Sequence, residues 1–404
     1  MALRTDSSDA REEGWHRVVF RAVSHGYGIS CIDQVEQSSL ERAAQRALKQ
    51  AKASERTVEL IPVQPEQGKI DFQKGEEFDL DEVASFLKDL RDGIKSRLGA
   101  KTRTELVASH SQTQSTLLTS EGTKISQFTP LTDMTLYVIT RDSGEGFASR
   151  VVGGIGGFEA VRNQPWDEII ESLTRRAGDA TKARTLNSSG KRFKVILDPE
   201  TTGAFAHEIA HFLEADIHKQ SFFRELTYDL ELVDDPCLPK TYGSYHWDDE
   251  GVNAEKKTLL RKGEIHLLHT RLTAKSEKDV PGNAHGILRK PRPTISNIYI
   301  APSDWRQEEI FEDTRNGIYA EGLIRAECDA QDGRIEIEPE LAYLVENKEV
   351  TTPIKHLKIV GSIEDVGKVD AIGRLYTLRP SYEKGFAVSE GGPHIRINGI
   401  TCYG

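Results

Sequence analysis

His207-Glu208-Ile209-Ala210-His211 constrains this chain more than any other stretch of it. On a helix the two histidines lie one turn apart on the same face. Both rings can then reach a single Zn²⁺, with Glu208 beside the metal as a general base. The surroundings predict a helix. Phe193 to Leu197 reads as a short strand, Asp198-Pro199 as a turn, and Thr201 or Thr202 as the cap. The apolar neighbours Ile209, Ala210, Phe212 and Leu213 predict a helix packed on both sides. Unpaired imidazole or carboxylate groups would be costly there, so a metal or a polar network is expected. Two unrelated histidines, with Glu208 on a solvated face, is the plain alternative.

A chain of 404 residues can bury ample core and is expected to divide into two parts. With 29% charged residues and a net charge of −11, an extended nucleic-acid-binding face is not expected. No apolar run is long enough for a membrane span, and the N-terminus has no apolar signal region, so a cytoplasmic protein without membrane contact is expected. Cys31, Cys237, Cys328 and Cys402 are far apart and form no Cys-x-x-Cys, which reads as free thiols.

Residues 1–14 read as a frayed lead-in, and Trp15 to Cys31 as a hairpin turning at His25-Gly26. Ser38 or Ser39 is expected to cap a helix to about Ala53, and a second amphipathic helix is expected over Leu80 to Leu98. Residues 103–152 look like a meander of short strands. Gly153 to Gly157 reads as a flexible turn rather than a phosphate loop, and a helix near Trp166 to Ala183 closes this half. A boundary at Thr185 to Gly190 gives an N-terminal unit of residues 1–185 and a C-terminal metal-motif unit of residues 186–404. The second unit reads as strand-rich, with a strand over Thr294 to Ile300 and a helix over Asp304 to Gly317. The class is α+β, in two units. Asp248-Asp249-Glu250-Gly251 reads as a tight loop before a cation site, and Asn297 and Tyr299 are candidates for a substrate groove.

Other segments, taken with the helix, resemble the TldD/PmbA metalloprotease family in its TldD-type, metal-bearing form. They are Arg17 to Gly28, Ser120-Glu121-Gly122 with Gln127, and Glu214-Ala215-Asp216. Val233-Asp234-Asp235, Gly243-Ser244 and Asp248 to Gly251 follow, then Ser296 to Ile300, Gly317-Ile318-Tyr319 and Gly391 to Ile397. Their order holds over nearly the whole length. The resemblance implies a zinc-dependent peptidase for unfolded or short peptides, including precursor peptides, with substrate added as a β-strand. It also implies pairing with a metal-free TldE/PmbA-like sister subunit, a homodimer being the other expectation.

Three departures qualify the resemblance. The family usually spaces its ligands His-Glu-x-x-x-His, one residue wider than His207 and His211. The chain begins late relative to the family. The family's third ligand is a cysteine, whereas Leu378 to Phe386 contains none. Cys402, Glu214, Tyr382, Glu383 and His394 stay open as replacements, since a catalytic zinc normally has three protein ligands. The expected site is therefore His207 and His211 on the metal and Glu208 as the base of a metallopeptidase. A non-catalytic partner subunit that has lost its metal is the alternative.

Overall fold

The computed structural model describes residues 2–4, 9–11, 13–72, 75–187, 190–219, 221, 229–286 and 288–404. Parts of the expected lead-in, and Ser188 and Ser189 of the expected boundary, lie outside these residues.

Helices form where local signals are strong. The Asp79 carboxylate accepts the backbone N–H groups of Asp81 and Glu82 and opens the helix Leu80–Leu98, which buries Val83, Leu87, Leu90 and Ile94. The helix expected after Ser38 instead begins at Gln37, and its cap residue Glu36 makes no side-chain bond. The hairpin of Val18–Val23 and Tyr27–Ile32 turns where expected.

The meander expected over residues 103–152 consists of three long antiparallel strands, Arg103–Leu118, Lys124–Arg141 and Glu145–Ile155. Residues 111–116 are exposed and carry no apolar alternation, yet their backbone pairs without interruption. The described parts of the lead-in are also paired, Ala2–Arg4 lying between Asp9–Arg11 and the strand Arg103–Leu118. Gly153 to Gly157 is not a flexible turn. It ends the third strand and is largely buried, and a Cβ on Gly157 would stand 1.8 Å from the Glu76 carbonyl oxygen. Glycine is required there because two backbones touch. The helices Leu80–Leu98 and Trp166–Ala180 cover this sheet and enclose one core with Leu106, Met134, Leu136 and Val138.

The second half is strand-rich, and the whole is a mixed α+β fold. Strands Phe386–Tyr403, Lys358–Ser362, Arg334–Glu346, Asn316–Asp329 and Lys191–Leu197 pair in that order, and the last pairs back onto the first. The ring closes, so its members are shielded from edge-to-edge association where they pair. The helix expected over Asp304 to Gly317 spans only Gln307–Glu312. Thr314 caps its last turn by donating to the Ile310 carbonyl, and Asn316 already begins a strand. Likewise, only Asn297–Ile300 of the expected strand Thr294 to Ile300 is extended in the sheet.

The halves meet through buried charge. Arg176, from the helix Trp166–Ala180, donates to Glu340 of the strand Arg334–Glu346 at 2.5 Å, and both side chains are almost fully buried. Ser149 donates its backbone N–H to the same carboxylate. Removing one partner leaves an uncompensated buried ion. Arg176→Ala is expected to lower unfolding stability by about 3–5 kcal/mol, measured by urea titration. A loss below about 1 kcal/mol would contradict a dry, committed pair.

Candidate metal centre

The motif residues lie on the helix Pro199–His211. Its cap is Asp198 rather than either threonine: the Asp198 carboxylate accepts the backbone N–H of Thr201, and Pro199 occupies the first turn, where no N–H is needed. Residues from Glu200 to Ala210 are buried throughout. The helix rests on the strand Phe386–Tyr403 at a point where a Cβ on Gly203 would come within 2.6 Å of the Gly391 nitrogen. That close approach sets His207, one turn later, against Glu390 of the same strand.

His207 and His211 sit side by side, their ring centroids 4.9 Å apart. His207 donates Nδ1–H to Glu390 Oε2 at 2.6 Å, and His211 donates Nδ1–H to Glu214 Oε1 at 2.9 Å. Carboxylates only accept, so each contact places a proton on Nδ1 and turns Nε2 toward the other histidine's side of the cavity. Both Nε2 atoms face one oxygen of Glu383, at 3.3 Å from His207 and 3.7 Å from His211. His207, His211 and Glu383 each offer a ligand atom within 4.8 Å of the others.

Two imidazoles and a carboxylate are a donor set that zinc uses. Burial disfavours a charged His207, but hydrogen bonds to Glu383 and Glu390 outweigh it and push its pKa up to about 10. Burial likewise works against ionised Glu383 and Glu390. The His207 hydrogen bond for Glu383, and the Arg379 guanidinium followed by His207 for Glu390, hold both carboxyls down to about 2. In the metal-free cluster His207 Nε2 faces a Glu383 oxygen, and any proton held between them must leave before that nitrogen can bind a metal. The residues fit zinc.

The other open candidates are engaged in other contacts. Cys402 is buried in a second core, built by the strand-rich half. The Tyr382 hydroxyl meets that of Tyr242, which in turn donates to Asp133 at 2.8 Å. The His394 ring stacks on Tyr319. Glu214 lies beyond the end of the helix, in the following turn, and accepts from His211 and from Lys384.

Glu208 is buried and lines a cavity of about 450 Å³ together with His207, His211, Glu383 and Cys328. The Cys328 thiol hydrogen-bonds to the Glu208 carboxylate, and burial followed by that charge raises the thiol's pKa. Opposite walls of the cavity come from residues 323–328 of one strand and from Arg379, Ser381, Tyr382 and Glu383 of the strand Val369–Glu383. Arg379, Ser381 and Glu383 alternate along that strand and so share a face. Among the described residues, the outer edge of 323–328 is unpaired, as is that of 376–383.

Glu390, Lys384, Arg379 and Cys328 are site residues that motif reading missed. The sequence does carry one signal for Glu390, a carboxylate immediately before the terminal strand segment Gly391 to Ile397. Asn297 and Tyr299 do not line the groove: both are buried, and Asn297 donates to the Asp235 carbonyl and the Ser244 hydroxyl and accepts from the Gly243 N–H. Asp248 to Gly251 is a tight loop, with Asp248 accepting the N–H groups of Glu250 and Val252. The Ser120-Glu121-Gly122 tip is anchored by a two-pronged pair from Arg271 to Glu121 at 2.7 Å.

Comparison with known proteins accords with this geometry. Residues 73–185 match the PmbA/TldA metallopeptidase central domain and residues 189–404 the C-terminal domain of the same family. A metalloprotease of Methanothermobacter thermautotrophicus is 31% identical over 314 residues, covering 72% of this chain and 68% of that protein. A metalloprotease of Methanocaldococcus jannaschii is 32% identical over 296 residues, covering 69% and 64%. A protein of Saccharolobus solfataricus named zinc metalloprotease TldD homolog is 26% identical, covering 59% and 57%. Among solved structures, TldE of Thermococcus kodakarensis superposes with a TM-score of 0.71 at 17% identity, over 95% of this chain and 89% of that one. A candidate modulator of a DNA gyrase from Thermotoga maritima gives 0.77 at 16% identity, over 99% and 93%. These two share the fold. With both halves of the chain matched in order, the protein belongs to the TldD/PmbA metallopeptidase family.

Proposed function

We propose that this chain is a zinc-dependent peptidase acting on unfolded or short peptides, precursor peptides included. The observation that carries the reading is the convergence of His207 Nε2, His211 Nε2 and a Glu383 oxygen beside Glu208. His207, His211 and Glu383 would hold the ion, Glu383 replacing the family's cysteine. Zinc bound there supplies Lewis acidity, polarising a peptide carbonyl and acidifying a water. Glu208 takes the proton from the attacking water and passes it to the leaving amine. The edges at 323–328 and 376–383, unpaired among the described residues, flank the cavity and offer backbone hydrogen bonds to an extended peptide, which tolerates many side chains.

We further propose that the chain divides at residues 185/186 and works in a TldD/TldE-like pair, a homodimer being the alternative. We assign it to the cytoplasm; among the described residues no helix is long and apolar enough to cross a membrane. Neither nucleic acid nor membrane enters this reading.

Elemental analysis of protein purified without chelators, alone and with a co-expressed sister chain, tests the reading. Close to one zinc per chain is expected, and light scattering is expected to give a dimer. A second reading, a non-catalytic partner subunit, draws on the absence of a cysteine from the cluster. It would prevail if the chain remained free of zinc in both preparations.

A further inference from the structure

We infer that Glu390, clamped by Arg379, is a positioning residue that sets the orientation and donor strength of His207. This rests on the metal-binding reading above. Glu390 stands on the strand Phe386–Tyr403, its side chain is almost wholly buried, and each oxygen has one duty. Oε2 accepts Nδ1–H of His207 at 2.6 Å, and Oε1 accepts from Arg379 Nη2. Arg379 lies directly across the hairpin from Glu390 in the strand register, so the backbone pairing itself brings the cation to the carboxylate.

The wider arrangement alternates in charge. Arg379, Glu390, His207, Glu383, Lys384 and Glu214 follow one another in contact, and Glu214 returns to His211. A buried carboxylate without a cation would be costly, so Arg379 is what allows Glu390 to stay ionised against the imidazole. An ionised acceptor on Nδ1 fixes the tautomer, pins the ring plane and increases electron density at Nε2. Partners of this kind typically change metal affinity by 10–100-fold. Glu214 has the matching place on His211, but it is shared with Lys384, whereas among the described residues the Glu390 oxygen on His207 is not shared.

The test is zinc affinity of the full chain, read by competition with a chromophoric chelator, for wild type, Glu390→Gln and Glu390→Asp. Glu390→Gln removes the charge and keeps the shape. Glu390→Asp keeps the charge beside Arg379 but withdraws the acceptor from Nδ1, guarding against a folding failure of the first variant. Both are expected to bind zinc about 10–100-fold more weakly, while the thermal midpoint of the metal-free protein stays near wild type in Glu390→Asp. Spectra of nitrogen-labelled histidine supply a readout that a merely structural role would not move: the His207 Nδ1–H proton, donated to a carboxylate in zinc-loaded wild type, should resonate far downfield there and move upfield in both variants. Wild-type affinity in both variants, or an unchanged His207 signature, would overturn the inference while leaving the peptidase reading intact. A wild-type chain that binds no zinc would overturn the reading beneath it.

Discussion

Glu208→Gln is expected to cut peptide hydrolysis by about 10²-fold or more while leaving folding and zinc content unchanged. The glutamine keeps the volume of Glu208 in its buried position beside the cavity, but it cannot accept a proton. The loss should fall on kcat, because the carboxylate acts on the attacking water rather than on the bound peptide. Single-turnover hydrolysis of a short unfolded peptide, together with elemental analysis, separates the outcomes. Near-normal turnover in the variant would remove Glu208 from the chemistry. Loss of zinc along with activity would instead mean that Glu208 holds the ion or its ligands.

Glu383→Ala is expected to strip the protein of zinc as completely as His207→Ala or His211→Ala. The cluster would keep only two imidazoles, fewer protein donors than a catalytic zinc site normally has. Cys402→Ser provides the contrast. Cys402 is fully buried in the second core, so its variant should retain the full zinc content. Elemental analysis of the set after gel filtration decides between them. Zinc retained in Glu383→Ala, or lost in Cys402→Ser, would assign the third donor elsewhere.

What the sequence made legible follows the range of the interactions. The helix Leu80–Leu98 was readable to its ends because its cap, apolar stripe and terminal glycine are all local. The histidine pair was readable for the same reason, since helical spacing alone places the rings together. Glu383 could be named only among other candidates. Its place depends on the hairpin of Val369–Glu383 with Phe386–Tyr403 and on how the helix crosses that hairpin. Glu390 escaped because it lies on a strand whose partner and register composition does not reveal. The misjudged glycines of Gly153 to Gly157 belong to the same class: looseness and close packing demand the same residue, and only the opposing Glu76 backbone distinguishes them. The short helix Gln307–Glu312 was overextended because propensity carried no sign that Asn316 belongs to a long antiparallel ribbon.

The direction of the helix Pro199–His211 has an electrostatic consequence of its own. Its peptide dipoles add along the axis, and the end that reaches the cavity is the carbonyl end, equivalent to roughly half a negative charge. The backbone therefore joins the carboxylates in attracting a cation, before any side chain is counted. Had the chain delivered the opposite end, the same face would attract phosphate or a peptide carboxylate. The polarity of one helix thus favours a bound cation in this cavity over an oxyanion.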